Sequence, residues 1–233
     1  MVRACGTGSL AIARSYSAGA LDWFVDHLAR RGLVALGFAN AGPLMPPWGG
    51  KQKRFGTNPV GFAAPRGAGL DPIVLDMATS TTARMNVMAA ARAGGPLPEG
   101  WALDADGRPT TDPAAALGGM VAPLGGAKGS GLALMVEVLA AGLSGSNYSY
   151  QASGLLDDEG GPPGVGQLFV AFAPARFGQA GFVEGVDALA TVLTSEPGVR
   201  LPGDRRHEHR RAAERDGVEV PEDLLARLEG YCS

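Results

Sequence analysis

A glycine-rich turn with one lysine leads directly into an apolar helical pattern, and residues of these types can bind an anion. The segment Pro123–Gly131 carries four glycines around Lys128. Glycine lets the backbone approach a ligand, and the first amides of a helix have no partners inside the helix. Lys128 and Gly129 are therefore candidates to bind the phosphate or carboxylate of a nucleotide or an organic acid. The alternative is a solvated lysine in a common turn.

The spacing of this turn matches neither of two widespread nucleotide-binding motifs. A P-loop has Ser or Thr directly after its lysine, whereas Gly129 follows Lys128 here. The glycines also do not fit the G-x-G-x-x-G pattern of doubly wound dinucleotide-binding domains. If the turn binds an anion, the surrounding fold must be a different one.

The three histidines do not form an evident catalytic group, although proton transfer near neutral pH most often uses histidine. His27 lies in an amphipathic helical pattern, which favours a structural or surface role. His207 and His209 lie among Arg and Glu residues, which favours a solvated charged segment over a metal site with no third ligand. The sequence therefore assigns no catalytic residue and no metal ligand.

Two further segments carry polar side chains that can contact a substrate. One contains Thr57, and the other ends at Arg84, whose guanidinium can bind a carboxylate through two hydrogen bonds. A hydroxyl group in the second segment could also cap the helix that follows, and we favour capping over a substrate contact. The candidate caps are Thr79, Ser80 and Thr81.

Composition limits the class of protein. The chain has 233 residues, is 45% hydrophobic and carries a net charge of −3, so no global charge points to nucleic acid or an anionic membrane. Two cysteines, Cys5 and Cys232, and the lack of a signal-peptide pattern predict a cytoplasmic location. The apolar run 132–143 is too short to span a bilayer and predicts a buried core helix. The acidic run 157–159 could bind a cation, but such runs are usually solvated.

Alternating helical and strand patterns predict an α/β (mixed α+β) fold. Helices are predicted at 18–31, 79–93, 132–143, 183–195, 204–215 and around 224–228. Strands are predicted at 9–13, 33–39, 60–64, 73–77 and 167–173, with long loops at 40–54 and 94–113. Because the strands are not regularly followed by helices, no Rossmann order is expected.

Taken together, several motifs in a fixed order resemble the malate/L-lactate dehydrogenase family of NAD(P)-dependent oxidoreductases, which is unrelated to Rossmann-type lactate dehydrogenases. The motifs lie at 18–21, 48–50, 55–59, 76–80, 98–104, 110–113, 123–131, 166–169 and 201–206. The resemblance implies a fold around a mixed sheet and a homodimer. It further implies one family domain over residues 1–233, with a cofactor-binding core at 18–195 and a charged segment at 196–233 that packs on it.

The resemblance also implies a reaction and a set of site residues. Members interconvert small 2-hydroxy acids and 2-oxo acids, while some reduce cyclic imino acids such as piperideine- or pyrroline-2-carboxylate. By position in the motifs, Thr57 would contact the substrate, and Arg84 is the candidate ligand for its carboxylate. The residues expected at NAD or NADP are Ser17, Ala18, Gly19, Ala20, Leu21, Leu75, Asp76, Met77, Lys128, Gly129, Gly203, Asp204 and Arg205.

Departures from the family pattern leave an alternative open. The family's Ser-His-Gly segment and substrate-binding arginine have no match, so the chain is expected to begin inside the family sequence. Residues 14–17 lack the two histidines that often stand there, and Met85 and Asn86 replace a Gly and an Asp that assists the catalytic histidine in many members. The alternative is an inactive remnant that retains cofactor binding and dimerisation.

Overall fold

The computed structural model describes residues 2–155, 160–178 and 180–231. Strands β1 to β8 are Thr7–Ser15, Val34–Ala39, Val60–Ala64, Ile73–Met77, Ala102–Leu103, Pro109–Thr110, Met120–Val121 and Val165–Phe172. Helices α1 to α8 are Val2–Cys5, Leu21–Ala29, Arg84–Ala93, Pro113–Gly118, Ala127–Val136, Phe182–Leu193, Asp204–Asp216 and Glu222–Gly230. A π-helical segment, Glu137–Gly142, continues α5.

The main sheet has five strands in the order β1-β8-β2-β3-β4, and a small sheet has the order β6-β5-β7. Every strand pair described in the two sheets is antiparallel, whereas the family resemblance implied a mixed sheet. Antiparallel neighbours need no helical crossover, which explains why strand and helix patterns do not alternate regularly along the sequence. The α/β class without Rossmann order is confirmed.

Helix α2 packs on the centre of the main sheet, and two glycines allow it to lie close. A Cβ at Gly61 would be 3.1 Å from Leu21 Cβ, and one at Gly37 would be 3.4 Å from Val25 Cγ1. The apolar cluster beneath the helix consists of Val25, Ala29, Ala35, Ala63 and Val74. This packing fixes the N-terminus of α2 beside the end of β4.

The helix formed by α5 and its π-helical extension is buried on one side only, so the prediction of a buried core helix holds for one face and not for the other. Val136 and Ala140 pack against Phe38 and Leu168 of the main sheet. Small residues therefore face the core, while larger apolar side chains on the same helix remain exposed. These exposed side chains are Leu132, Leu134, Met135, Val138 and Leu143.

Helix α3 begins at Arg84 rather than at Thr79, and the predicted hydroxyl cap is wrong. Its N-cap is Ala83, which makes no side-chain capping bond. The hydroxyl of Thr79 instead donates to Thr57 O at 2.9 Å, and that of Ser80 donates to Thr82 O at 2.8 Å. Backbone carbonyls of a neighbouring loop and of the segment itself therefore satisfy these side chains, and neither hydroxyl caps the helix.

The loop predicted at 94–113 contains a small hairpin that the sequence did not reveal. Strands β5 and β6 pair Ala102 with Thr110, and the amide of Gly107 donates to Asp104 O at 3.1 Å in the connecting turn. This bond closes a tight turn between the two strands. Strands of two residues are too short to show an alternating pattern.

Helix α7, in the charged C-terminal segment, lies against α2 and the start of β4. Arg206 Nε lies 2.7 Å from Asp22 Oδ2, and Arg210 Nη1 lies 3.3 Å from Asp26 Oδ2. His207 is only 4% exposed, with Nε2 3.0 Å from Pro72 O, which corrects the prediction that it is solvated. His209 is exposed, as predicted. The acidic run 157–159 and Cys232 lie outside the described residues.

Candidate functional site

A cavity of about 590 Å³ lies between the N-terminus of α2, the loop after β2 and the first turn of α3. Thr57 and Arg84, the two substrate candidates, both line it. So do Ser17, Ala18 and Gly19, the first three cofactor candidates. Residues from widely separated parts of the sequence thus form one concave site, the arrangement expected for a small-molecule site.

The backbone on both sides of Thr57 is held rigidly. The carbonyl of Thr57 accepts hydrogen bonds from Thr79 N at 2.8 Å and from Thr79 Oγ1 at 2.9 Å. A Cβ at Gly56 would lie 2.5 Å from Ala41 O, so only glycine fits there without displacement. The position of Thr57 at the cavity is therefore fixed by its neighbours in the fold.

Asn58, directly after Thr57, is fully buried and has a φ of +37°, which is uncommon for a residue with a side chain. Its Nδ2 donates to Ala133 O at 3.1 Å and to Glu137 Oε1 at 2.6 Å. Glu137, also buried, accepts further hydrogen bonds from Ser149 N at 2.9 Å and from the Ser149 hydroxyl. Asn58, Glu137 and Ser149 form a buried network that anchors the Thr57 loop to the π-helical segment.

No local sequence pattern predicts this network. Asn58 and Glu137 are 79 residues apart, and neither lies in a pattern that indicates the other. A glutamate inside the longest apolar run was the available signal, because a buried carboxylate requires polar partners. The network supports the site through Thr57 and does not line the cavity itself.

Arg84 and Lys53 both line the cavity and supply its positive charge. The guanidinium of Arg84 is oriented by a hydrogen bond from Nη2 to Leu117 O at 3.2 Å. Burial lowers the pKa of Lys53 below its usual value, and the nearby charge of Arg84 lowers it further. No Asp or Glu is among the described residues that line the cavity. The site is therefore cationic and suited to an anion.

Lys53 was missing from the sequence-based candidates. It stands in a glycine- and proline-rich loop with two other basic residues, Lys51 and Arg54, which are both exposed. The sequence pattern cannot distinguish the one basic side chain of these three that turns into the cavity. Its position next to the Thr57 motif was the only signal.

Three of the predicted cofactor-binding segments lie next to one another. Asp76 of β4 accepts a hydrogen bond through Oδ2 from Asp22 N at 3.1 Å, which joins β4 to the first turn of α2. Val74 N donates to Pro202 O at 2.9 Å, which brings the Gly203 turn to the same strand. The segments at 17–21, 75–77 and 203–205 therefore share one region, as a common ligand would require.

The carboxylate of Asp76 has a visible structural role in this region. A negative charge at a helix N-terminus interacts favourably with the helix dipole, and Asp76 contacts the start of α2 in this way. Burial raises the pKa of Asp76 above its usual value, opposed by the hydrogen bond from the Asp22 amide, and the nearby Asp22 charge raises it again. Arg206 acts in the opposite direction.

The remaining cofactor candidates differ in their surroundings. Asp204 accepts a hydrogen bond from Leu201 N at 2.9 Å, whereas Arg205 is exposed at the start of α7. Lys128 is exposed in the first turn of α5 and is not among the residues that line the cavity. Its turn is connected to the site indirectly, because Leu124 N donates to Thr79 O at 2.9 Å.

The turn before α5 is packed so tightly that only glycine fits at position 129. A Cβ at Gly129 would lie 2.4 Å from both the N and the O of Leu124 and 2.6 Å from Thr79 O. These distances are too short for any side chain. The glycine is therefore required for the close approach of α5 to the Thr79 segment, whichever ligand the turn binds.

No histidine lines the cavity within the described part of the chain. His27 is exposed and stacks on Trp23 with a ring separation of 5.5 Å, which confirms its surface role. Within the described residues, no group of three His, Cys, Asp or Glu side chains could hold a metal ion. In the same part of the chain, no helix combines the length and apolar character required to cross a bilayer.

Comparison with known proteins relates this site to characterised enzymes. (2R)-3-Sulfolactate dehydrogenase (NADP(+)) of Chromohalobacter salexigens is 50% identical over 231 residues, which cover 99% of this chain and 68% of that protein. The Δ1-pyrroline-2-carboxylate/Δ1-piperideine-2-carboxylate reductase of Pseudomonas putida is 44% identical, over 97% of this chain and 66% of that protein. The chain thus spans about two thirds of the length of these relatives.

Solved structures agree with the sequence comparison. The crystal structure of Δ1-piperideine-2-carboxylate reductase from Pseudomonas syringae pv. tomato superimposes with a TM-score of 0.92 at 41% identity, covering 98% of this chain and 69% of that one. The family model for malate/L-lactate dehydrogenase matches residues 1–229. These relatives are oxidoreductases, and the chain belongs to the malate/L-lactate dehydrogenase family.

Proposed function

We propose that this chain is an NAD(P)-dependent oxidoreductase that interconverts a small 2-hydroxy acid and a 2-oxo acid. The observation that carries the proposal is the cavity lined together by Thr57, Arg84 and residues 17–19. Arg84 supplies a planar cation for a substrate carboxylate, and residues 17–19 place the cavity next to the predicted cofactor-binding region.

The residues expected at the cofactor fit a nicotinamide dinucleotide in their chemistry. Lys128 and Arg205 are exposed cations near helix N-termini, a combination suited to phosphate groups. Gly19 has a φ of +63°, and a Cβ added there would meet no atom within 4 Å, so a ligand can approach the backbone from the cavity side. NAD and NADP both fit these features.

A nicotinamide cofactor would supply or accept the hydride when bound, and the role of the chain is to bind and orient the acid. Arg84 holds the carboxylate through its guanidinium, which Leu117 O keeps in position. Thr57, fixed by Thr79 and the buried network, presents its side chain to the same cavity. The partly buried walls limit water around the substrate, which strengthens the interaction between the two charges.

A second candidate function is the reduction of a cyclic imino acid. It is favoured by the 44% identity to the Pseudomonas putida reductase and by the similarity to the Pseudomonas syringae structure. Steady-state turnover of NADH and NADPH with pyruvate, oxaloacetate, 3-sulfopyruvate and Δ1-piperideine-2-carboxylate distinguishes the two. Cofactor binding without turnover of any of them would instead support the inactive remnant.

We predict that Lys128→Ala weakens cofactor binding about tenfold, the loss of one charge-assisted contact to a phosphate. Fluorescence titration with NADPH and NADH measures the dissociation constants. Lys51→Ala is the matched control, because Lys51 is also an exposed lysine and lies outside the predicted cofactor residues. An unchanged affinity for both cofactors in Lys128→Ala would refute the anion-binding role of the turn.

The exposed side of α5 and its extension supports the homodimer expected from the family resemblance. Leu132, Met135 and Val138 are exposed on consecutive turns, and an apolar face of this kind is typical of an interface. We predict a dimer mass by light scattering, and a shift toward monomer in Val138→Glu. Val192→Glu, at an exposed valine of α6, should leave the mass unchanged. A monomeric wild-type chain would contradict the proposal.

A further inference from the structure

The cavity holds two cations, and a 2-oxo acid with one carboxylate needs only one of them. Arg84 is the substrate candidate of the proposed function, which leaves Lys53 without an assigned role. Both side chains line the cavity and are half-buried, and no carboxylate accompanies them among the described lining residues. Two like charges in a partly desolvated site are mutually unfavourable unless a ligand neutralises them.

The surroundings of Lys53 agree with a ligand-binding role. No ion pair of Lys53 occurs within the described residues, whereas several surface arginines have carboxylate partners. Burial and the charge of Arg84 both lower the pKa of Lys53, so the fold works against this charge when the cavity holds no anion. An anion bound to both cations would relieve that repulsion.

From this arrangement we propose that Lys53 and Arg84 together select a dianionic substrate, in which the carboxylate of a 2-hydroxy or 2-oxo acid is bound by Arg84 and a second anionic group is bound by Lys53. The second group is a sulfonate or carboxylate attached to the carbon next to the one that bears the hydroxyl or oxo group. The proposal rests on the proposed function and narrows its substrate class.

The same charges argue against a cyclic imino acid. Reduction of such a compound proceeds through its protonated nitrogen, which is a cation, so Lys53 and Arg84 would repel the reacting group. A second carboxylate or sulfonate instead gains a charge-assisted hydrogen bond to Lys53. Electrostatic complementarity of this kind mainly discriminates between ligands.

The test compares two kinds of anion in Lys53→Met, which keeps an unbranched side chain of similar length and removes its charge. Calorimetric titration with malonate and oxamate gives the affinity for a dianion and a monoanion without requiring turnover. The ratio of the malonate affinity to the oxamate affinity should fall about tenfold, which is the loss expected for one charge-assisted hydrogen bond. In turnover, the ratio of kcat/KM for 3-sulfopyruvate to that for pyruvate should fall by a similar factor.

Lys51→Met is the matched control, because Lys51 stands in the same loop, is exposed and does not line the cavity. An unchanged ratio in Lys53→Met, or equal losses for both anions, overturns the proposal. If 2-oxo acids are turned over but the ratio does not respond to Lys53, the proposed function stands and the dianion site fails. If Lys53→Met weakens malonate binding but the wild-type chain turns over none of the 2-oxo acids, the dianion site stands and the proposed function fails.

Discussion

Glu137→Ala should lower the free energy of unfolding by about 3 kcal/mol, since it removes a buried acceptor and leaves a small void. Ser149 N would lose its 2.9 Å partner, and Asn58 Nδ2 would lose its 2.6 Å partner. A buried donor without an acceptor costs about 1–3 kcal/mol. Asn58 retains its bond to Ala133 O, which limits the total loss. Urea denaturation measures the difference.

Two control variants show whether the loss of stability in Glu137→Ala comes from the hydrogen bonds, from the charge of Glu137 or from the change in helix propensity. Glu137→Gln keeps the volume of the side chain and one hydrogen-bond acceptor, so it should lower the free energy of unfolding by less than Glu137→Ala does. Glu208→Ala removes an exposed glutamate from α7 and should change stability by no more than about 0.5 kcal/mol. If Glu137→Ala is as stable as Glu208→Ala, the buried network does not stabilise the fold.

Loss of the network should also impair the site. Asn58 adopts its φ of +37° while its side chain bonds to Ala133 and Glu137, and Thr57 is the preceding residue. Without Glu137, the loop can relax toward a more favourable backbone conformation, which would displace Thr57 from the cavity. A conformation of this kind persists only where surrounding contacts hold it.

The strands next to the site could be predicted from the sequence almost to the residue. Val60–Ala64 and Ile73–Met77 are short apolar runs separated by a proline- and glycine-rich turn, and the structure has β3 and β4 within these bounds. Helix α6 was also found within one or two residues at its ends. Such elements depend mainly on local apolar pattern and on the residues that end them.

The residue at which α3 begins and the set of residues that line the cavity depend on contacts between distant segments. Thr79 and Thr81 look like helix caps, yet their hydroxyls donate to backbone carbonyls of Thr57, Trp101 and Ala122. Lys53 reaches the cavity from a loop whose two ends are joined by a bridge between Met45 and Phe55. Neither arrangement leaves a local pattern, so composition and periodicity could not reveal it.

Arg84→Ala should raise the dissociation constant of oxamate, a non-reacting 2-oxo acid analogue, about 100-fold. A hydrogen bond to a charged group contributes about 1.5–3 kcal/mol, and 1.4 kcal/mol corresponds to a factor of ten. Arg84 is the planar cation of the cavity, and its contact with Leu117 O holds the guanidinium in place before a ligand binds. In turnover the same loss should appear mainly as a higher KM for the 2-oxo acid.

Arg84→Lys should recover only part of the affinity, because an ammonium keeps the charge but not the two parallel donors of a guanidinium. Arg92→Ala is the matched control, an exposed arginine in the last turn of the same helix. An unchanged midpoint of thermal unfolding in Arg84→Ala would show that the variant is folded and that its loss of oxamate affinity has another cause. Equal affinities in Arg84→Ala, Arg84→Lys and wild type would mean that Arg84 does not bind the carboxylate, and Lys53 would then be the remaining cation among the described residues that line this cavity.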